Sequence, residues 1–383
     1  MPYRTGLSGA VDYAGYMTNS SVTASAIRAK LGTYTDPYLA QTLIQAKAIG
    51  EVSLSEGAVT IELTFGFPVG DYIGELQPAL ESHLKSELAG ARLNLILKAD
   101  ITAHAVQKTL KPLANVKNVI AVASGKGGVG KSTTAANLAL AWAAQGARVG
   151  LLDADIYGPS QPLMMGLAGR KPEITEDGKH MTPLRAHGIE VMSIGFMIDA
   201  EQPMVWRGPM VTQALTQLLG DTNWGELDYL VVDMPPGTGD IQLTLSQRVP
   251  VSGAVIVTTP QDIALLDARK GLKMFEKVEV RVLGVVENMS VHVCSNCGHV
   301  EHVFGSGGGA RMAEQYGVQL LGELPLNIRI REDADGGTPT VVAEPGSPRA
   351  LAYLQMARRT AARLSTLNKD YSRMFPKITV EST

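Results

Sequence analysis

The stretch Ser124-Gly-Lys-Gly-Gly-Val-Gly-Lys-Ser-Thr133 decides the fold class of this chain. An apolar, strand-like run of residues 119–123 precedes it, and a helix-forming run of residues 135–144 follows it. A glycine, four residues and then Gly-Lys-Ser in this context fit the P-loop pattern. Glycines let backbone N–H groups curl around phosphate oxygens, Lys131 neutralises phosphate charge, and Ser132 offers its hydroxyl to Mg²⁺. The sequence therefore predicts a site for ATP and Mg²⁺.

Lys126 is a second lysine inside this loop, and a simple P-loop does not need it. An extra cation beside a ligand of several negative charges has an electrostatic use, so we interpret Lys126 and Lys131 as catalytic lysines. The predicted nucleotide contacts in the loop are Gly125, Lys126, Gly127, Gly128, Val129, Gly130, Lys131, Ser132 and Thr133.

Apolar runs alternate with helical or glycine-rich stretches beyond the loop. The strand candidates are residues 119–123, 148–152, 189–194, 229–232, 253–257, 282–286 and 319–321. Continuous apolar strands with helices between them predict an α/β fold, in which helices cover both faces of a parallel sheet. Nucleotides bind such sheets at the carboxyl ends of the strands.

Acidic residues end two of these runs. Asp153 and Asp155 follow one strand candidate, and Asp233 follows another, before a glycine-rich loop. An aspartate at a strand end near a P-loop can hold Mg²⁺ through its water ligands. We predict that Asp153 and Asp233, with Ser132, form the Mg²⁺ side of the site. Asp155 is predicted to orient the attacking water, with helix capping as the alternative.

Composition shifts predict five segments in the 383 residues. These are a disordered N-terminus (1–23), a small α+β domain (24–108), a linker (109–117), the nucleotide-binding domain (118–368) and a tail (369–383), with Met17 as a second candidate start. The small domain should contain a helix (26–31), a strand pair (39–44 and 58–65), an amphipathic helix (72–88) and a further strand (92–97).

Composition also bears on partners. The net charge is -3 and the pI is near 6.2, so nothing favours a nucleic-acid partner. Neither a bilayer-spanning apolar run nor a secretory leader pattern is present, so we expect a cytoplasmic protein with no membrane partner.

The two cysteines, Cys294 and Cys297, form a C-x-x-C pair. In a chain of this kind such a pair indicates metal or redox chemistry before a structural disulfide. Two thiolates need further ligands, and a two-fold dimer would supply them as a four-thiolate iron–sulfur site. His292, His299 and His302 would supply them as a zinc site within one chain. A thioredoxin-like redox pair is a third reading, although no helix is predicted to start there.

Several blocks together resemble the Mrp/ApbC family of iron–sulfur cluster carrier ATPases, of the deviant Walker A class, over residues 116–354. The blocks are Gly125-Lys-Gly-Gly-Val-Gly-Lys-Ser132, Asp153-Ala-Asp-Ile-Tyr-Gly-Pro-Ser160, Trp206-Arg-Gly-Pro209, Trp224-Gly-Glu-Leu-Asp228, Asp233-Met-Pro-Pro-Gly-Thr-Gly-Asp240 and Asn288-Met-Ser followed by Cys294-x-x-Cys297. We assign no physical role to Trp206 or Arg207.

The resemblance implies a function and a set of roles. Lys126 would reach the phosphates of a partner subunit, and Asn288 would contact adenine. Cys294 and Cys297 would bridge a cluster, usually [4Fe-4S], across a homodimer that passes it to apo-proteins. Faster relatives carry a further acid where this chain has Ser160-Gln-Pro162, which implies slow ATP hydrolysis. The implied partners are apo client proteins and an assembly scaffold.

The small domain is similar to one that also occurs alone in iron–sulfur assembly proteins. Asp36-Pro37 matches that domain's early Asp-Pro. A cysteine often found after its second strand is missing from residues 65–70, so we expect this domain to dock partners.

Two other classes compete. A partition or positioning ATPase with a structural zinc site would use the same nucleotide-driven dimer, and membrane-bound members end in a basic amphipathic helix. Arg358, Arg359 and Arg363 lie on a helical run of residues 350–367, which we interpret as a packing helix with a solvated basic face. Nucleotide-gated electron transfer, as in nitrogenase iron protein, would need two separated single cysteines.

Overall fold

The computed structural model describes residues 22–55, 57–197, 208–294 and 296–370. Met17, Trp206, Arg207 and most of the predicted terminal segments 1–23 and 369–383 therefore lie outside the described residues.

The N-terminal part is a small α+β domain. Its elements are α1 (Ala24–Leu31), β1 (Thr35–Asp36), β2 (Gln41–Thr42), β3 (Ile49–Ser55), β4 (Ala58–Phe65), α2 (Ile73–His83), α3 (Lys85–Leu88) and β5 (Arg92–Ala99). The sheet order is β3-β4-β5, with β3 antiparallel and β5 parallel to β4. Alternate residues of β4 are buried, because apolar side chains at every second position face one side of a strand.

Two expectations for this domain were wrong. Residues 39–44 are mostly turns with the two-residue β2, because the Asp36 carboxylate accepts the N–H groups of Tyr38 and Leu39 and turns the chain. The partner of β4 is β3, a half-exposed strand with little apolar periodicity. The predicted helix 72–88 is interrupted at Leu84 and forms α2 and α3.

The larger part begins at the strand before the P-loop. Its elements are β6 (Val116–Ala123), α4 (Lys131–Ala144), β7 (Val149–Asp153), α5 (Gln161–Met164), β8 (Glu173–Ile174), β9 (Met181–Thr182), β10 (Leu184–Ala186), β11 (Ile189–Ser193), α6 (Gly208–Asp221), β12 (Leu227–Asp233), α7 (Asp240–Arg248), β13 (Gly253–Thr258), α8 (Asp262–Lys277), β14 (Val282–Glu287), β15 (His292–Val293), β16 (Val300–Glu301), α9 (Gly308–Tyr316), β17 (Gln319–Glu323), α10 (Ile328–Asp335), α11 (Thr340–Ala343) and α12 (Pro348–Ser365). A short 3₁₀ turn, Ile194–Phe196, follows β11.

Eight strands form the main sheet, in the order β10-β11-β7-β12-β6-β13-β14-β17. All neighbouring pairs are parallel except β10 with β11. Helices α4 and α12 pack on each other and on the sheet, and α8 and α9 form a second layer against β13, β14 and β17. The predicted α/β fold with a small preceding domain is confirmed.

The strand register brings the predicted acidic residues to the edge at which the P-loop begins. Asp233, the last residue of β12, pairs with Asp153 at the end of β7 and with Val122 of β6. Since β12 lies between β7 and β6, both carboxylates end beside the loop that follows β6. The sheet therefore brings strand ends that are far apart in the sequence together at one site.

Helix α12 joins the two domains. Arg358 is fully buried, donates to Asp71 and to Glu75 (Nη1–Oε1 2.6 Å), and lies over the rings of Tyr38 and Tyr72. The predicted packing helix is present, but the interpretation of Arg358 as part of a solvated basic face was wrong. Its partners lie about 280 residues earlier in the chain, so no local pattern could reveal them.

The small domain also touches the end of the P-loop helix. Gly70 N–H donates to the carbonyl of Gln145, 3.1 Å away, and the Gln145 side chain donates to the Leu354 carbonyl of α12. Trp142 of α4 is buried and donates to the Ala357 carbonyl. Three parts of the fold, α4, α12 and the small domain, therefore meet at one junction.

Candidate functional site

The phosphate loop connects the buried strand β6 to helix α4. Gly130 has φ 82°, and a Cβ there would lie 2.2 Å from Asn288 Nδ2. A Cβ on Gly125 would lie 2.2 Å from the backbone of Asp267 in α8. The loop backbone therefore runs where side chains would collide, which explains glycine at these two positions. The N-terminus of α4 presents N–H groups suited to phosphate.

Lys131 lies at the centre of the acidic edge. Its ammonium donates to Asp233 Oδ1, lies 3.2 Å from Ser132 Oγ and 3.6 Å from Asp155 Oδ2. Only 6% of the lysine side chain is exposed, so the cation is held among carboxylates with little water. A mobile ammonium on a long stem is suited to exchange a carboxylate partner for phosphate oxygens.

Asp153 lies behind the site. Its Oδ1 accepts the Asp155 N–H, and its Oδ2 accepts the Gln161 N–H and the Ser193 hydroxyl, each at 3.1 Å. Complete burial, followed by the charge of Asp233, raises the pKa of Asp153 to about 7. Both oxygens of Asp153 therefore have protein partners, as do both oxygens of Asp233, and the role of these two residues on the Mg²⁺ side stays a prediction.

Asp155 faces the open side. It lines a cleft of about 230 Å³ together with Lys126, Lys131 and other loop residues. Burial raises its pKa, and the charge of Lys131 opposes that rise. No capping bond from Asp155 to a helix is found among the described residues. Its position beside the phosphate loop suits contact with water or with ligand oxygens.

The oxygen atoms at this edge of the sheet are of the kind that Mg²⁺ prefers as ligands. Ser132, Asp155 and Asp233 offer hard oxygen ligands beside the phosphate loop. Among the described residues, no three His, Cys, Asp or Glu side chains form a metal cage by themselves. That suits Mg²⁺, which keeps waters and substrate phosphates as ligands beside one or two carboxylates.

Sequence reasoning missed Gln161, a fully buried residue that opens α5. Its amide nitrogen donates to the Ser132 carbonyl at 3.0 Å and to Asp233 Oδ2 at 2.9 Å. Both partners are acceptors, so the amide nitrogen must face them. Together with its N–H bond to Asp153, Gln161 touches every residue predicted for the Mg²⁺ side. The sequence drew attention to residues 160–162 only because a further acid is missing there, and nothing in it indicated contacts of Gln161 with Ser132 and Asp233.

Asn288 follows β14 and reaches the phosphate loop from the other side. It is 7% exposed, and its amide nitrogen donates to the Val129 carbonyl at 2.8 Å. The residue implied to contact adenine therefore lies directly against the loop. Lys126 is half-buried and has no ion pair among the described residues, which leaves its ammonium available.

The cysteine pair lies on a small hairpin of β15 and β16, between β14 and α9. Cys294 N–H donates to the His299 carbonyl, and Gly298 N–H donates to the Cys294 carbonyl, each at 2.9 Å. N–H groups of Cys297 and Asn296 lower the pKa of the Cys294 thiol. Cys294 is half-buried and Cys297 is exposed. The turn favours a thiolate and presents it at the surface, as metal binding requires.

Two of the three neighbouring histidines contact backbone carbonyls through their side chains. His292 Nδ1 is 3.1 Å from the Leu326 carbonyl, and His302 Nδ1 is 2.9 Å from the Ser290 carbonyl. In the described part of the chain, no three Cys or His side chains converge on a metal position. Both bonds involve Nδ1 and leave Nε2 of His292 and of His302 as a possible metal ligand.

Two family models match the chain. Residues 115–361 match the model described as NUBPL iron-transfer P-loop NTPase, and residues 24–94 match the model described as iron–sulfur cluster assembly protein.

Individual relatives agree with these models. The iron–sulfur cluster carrier protein of Escherichia coli K12 is 52% identical over 87% of this chain and 90% of its own length. The mouse iron–sulfur cluster transfer protein NUBPL is 55% identical over 67% of this chain and 80% of its own. A solved nucleotide-binding protein from Archaeoglobus fulgidus, in complex with ADP, covers 62% of this chain and 91% of its own, with 38% identity and a TM-score of 0.54.

Proposed function

The chain belongs to the family of NUBPL iron-transfer P-loop NTPases, and from that premise we propose that it carries an iron–sulfur cluster and transfers it to apo-proteins. The observation that carries this proposal is the surface hairpin that presents Cys294 and Cys297, where backbone N–H groups lower the pKa of the Cys294 thiol. Thiolates are the usual protein ligands of iron–sulfur clusters.

The site supports a homodimer as the carrier. One chain offers two thiolates, whereas a [4Fe-4S] cluster takes four. A two-fold axis beside the hairpin would bring Cys294 and Cys297 of both chains together. Val293, Val300 and Val303 are each between 43% and 55% exposed beside the cysteines, and a partner subunit would cover these apolar side chains.

ATP binding and slow hydrolysis are proposed for the phosphate loop. The α4 N-terminus and the loop N–H groups would hold the phosphates, and Lys131 would exchange Asp233 for phosphate oxygens. Asp155, which lines the cleft, would orient the attacking water. Ser132 and Asp233 would hold Mg²⁺, which neutralises phosphate charge during hydrolysis. Lys126 would meet the phosphates bound by a partner subunit.

The small domain is proposed to dock client proteins or an assembly scaffold. Asp36 is fully buried and accepts a hydrogen bond from the Tyr72 hydroxyl, so it stabilises the domain and does not face a partner.

Among the helices of the described residues, none is long and apolar enough to cross a bilayer. A cytoplasmic location remains our proposal.

A transfer assay tests the function. Cluster-loaded protein is mixed anaerobically with an apo-protein whose absorption or activity requires a [4Fe-4S] cluster. We expect the acceptor to gain its cluster. An iron chelator that is too large to enter proteins should not lower the yield, because the cluster passes directly from one protein to the other. Cys297→Ser should abolish loading and transfer while ATP binding persists. Transfer that proceeds equally well from the Cys297→Ser variant would refute the proposal.

A further inference from the structure

The loop of residues 288–307, here called the cysteine loop, carries both cysteines and is anchored at its two ends by neighbouring groups. It leaves the sheet after Glu287, the last residue of β14, and ends at Gly308, the first residue of α9. A loop of this length is mobile unless particular contacts hold it. Its anchors therefore decide how well the thiolates are positioned.

Glu287 closes the loop at its base. The side chain is fully buried, and its Oε2 accepts the N–H of Gly309 at the start of α9. A carboxylate at a helix N-terminus is favourable, since the first N–H groups have no partners within the helix. A Cβ on Gly309 would lie 2.9 Å from Glu287 Cβ, so the helix approaches this side chain as closely as glycine allows. The residue before the loop thus holds the residue after it.

Asn288, the next residue, joins the same base to the nucleotide site. Its side chain donates to the Val129 carbonyl of the phosphate loop, and its backbone N–H donates to the Thr258 carbonyl at 2.7 Å. Two consecutive residues therefore hold two different elements. Glu287 holds the helix at the end of the cysteine loop, and Asn288 holds the phosphate loop.

The path from this base to the first cysteine is short and hydrogen-bonded. Ser290 N–H donates to the Leu324 carbonyl at 3.0 Å, and Leu326 N–H donates to the Val291 carbonyl at 2.8 Å. From there, β15 leads directly to Cys294. Because this segment is short and held by hydrogen bonds, a displacement of Asn288 should also displace the hairpin.

We propose that Glu287 is a positioning residue for the cysteine pair, and that its coupling through Asn288 makes cluster retention respond to the nucleotide at the phosphate loop. The proposal rests on the function proposed above and adds how its two sites communicate. Glu287 touches neither ligand. It acts by holding the end of β14 against the start of α9, and these two ends fix the positions of Asn288 and of the hairpin.

The test compares Glu287→Leu and Glu287→Ala with Glu287→Gln. Glutamine keeps an oxygen to accept the Gly309 N–H, whereas leucine and alanine do not. Iron release from cluster-loaded protein to a coloured chelator is timed with and without saturating Mg-ATP. In the wild type, we expect ATP to change the release rate. In the Leu and Ala variants, we expect release about tenfold faster and the same with and without ATP. Glu287→Gln should restore most of the wild-type behaviour.

Ser347→Ala is the matched control. It removes another helix N-cap bond, from Ser347 Oγ to the Ala350 N–H, on α12 and away from the cysteine loop. Its release rate, its response to ATP and its ATP affinity should equal those of the wild type. A general loss of stability would affect this control as well.

Hydrogen exchange on the metal-free protein separates the two proposals. Glu287→Leu should speed exchange across residues 288–309 and leave the sheet unchanged, whether or not a cluster binds. Wild-type exchange in that variant, or wild-type iron release with an intact response to ATP, would overturn the inference while leaving the carrier function untouched. A wild type whose release ignores ATP would overturn the coupling. Failure of every variant and the wild type to load iron would instead contradict the carrier function.

Discussion

Lys131 and the carboxylates around it show how one residue serves both stability and ligand binding. The buried ammonium partners Asp233 and lies near Asp155, and Asp153 lies just behind them. Removing the cation would leave buried carboxylates without compensation. The lysine that a nucleotide requires is therefore also a structural counter-charge.

We predict that Lys131→Gln lowers the stability of the protein measured without added nucleotide, by about 3 kcal/mol at pH 8. Burial already raises the pKa of Asp153 to about 7, so its ionised form is disfavoured in the fold. For an acid with a raised pKa, stability is lost as pH increases toward that pKa. Loss of the cation should extend this decline to higher pH. The deficit in melting temperature should thus be larger at pH 8 than at pH 6.

Lys126→Gln is the control, since Lys126 is half-buried and has no ion pair in the described ranges. It should melt like the wild type at both pH values while hydrolysing ATP weakly. A Lys131→Gln variant whose melting deficit does not depend on pH would contradict this account of the buried charges.

Gln161 provides a second prediction at this scale. Gln161→Leu should weaken Mg²⁺ binding in the presence of a fluorescent ATP analogue about tenfold, because Asp233 and the Ser132 carbonyl lose their shared donor. Nucleotide affinity in EDTA should change little. Gln107→Leu is the matched control: the amide nitrogen of that buried glutamine also donates to two acceptors, the Ser246 and Val249 carbonyls, but lies away from the loop. Equal loss of Mg²⁺ affinity in both variants would mean that Gln161 acts only through stability.

The sequence predicted the phosphate loop because its residues are consecutive in the chain. It predicted the nearby aspartates because each follows an apolar strand candidate, and parallel strands end at the same edge of a sheet. It could not predict Gln161 or the buried state of Arg358. The partners of these two side chains are 29 to 320 residues away, and only the folded sheet and the docked domain bring them close. Whether each predicted site residue contacts ATP, Mg²⁺ or a cluster remains a prediction.

At the scale of elements, α12 determines how the two domains are joined. The helix packs on α4 and β17, and its Arg358 lies over two tyrosine rings of the small domain. Strand positions in the large sheet were predictable, because buried parallel strands are continuously apolar. β3 was not, because its residues are mostly half-exposed or exposed and show no clear alternation.

We predict that Arg358→Met loosens the small domain. The variant loses bonds to Asp71 and Glu75 and two cation–π contacts, which together should cost about 2 kcal/mol, since both acids are partly exposed. Proteases should cut the connecting residues 100–115 faster, and calorimetry should separate two transitions. Arg331→Met, which removes an exposed pair with Asp335, should change neither result. A single unchanged transition in Arg358→Met would show that other contacts suffice to join the domains.

For the whole molecule, we propose that one chain supplies half of the thiolate ligands of a cluster site. The two cysteines lie on a surface turn that lowers the pKa of the Cys294 thiol, with exposed valines beside them. A second copy of the chain is the simplest source of two further thiolates. Because a cluster bound only by the dimer must stabilise the dimer, cluster content and assembly should rise together.

The most direct test is the iron, sulfide and zinc content of anaerobically reconstituted protein, measured together with its molecular mass in solution. We predict about four irons and four sulfides per two chains, in a dimer that dissociates when the cluster is removed. Replacing His292, His299 and His302 together by Ala should leave this content nearly unchanged. One zinc per chain, lost in the triple histidine variant, with no iron–sulfur absorption after reconstitution, would contradict the account.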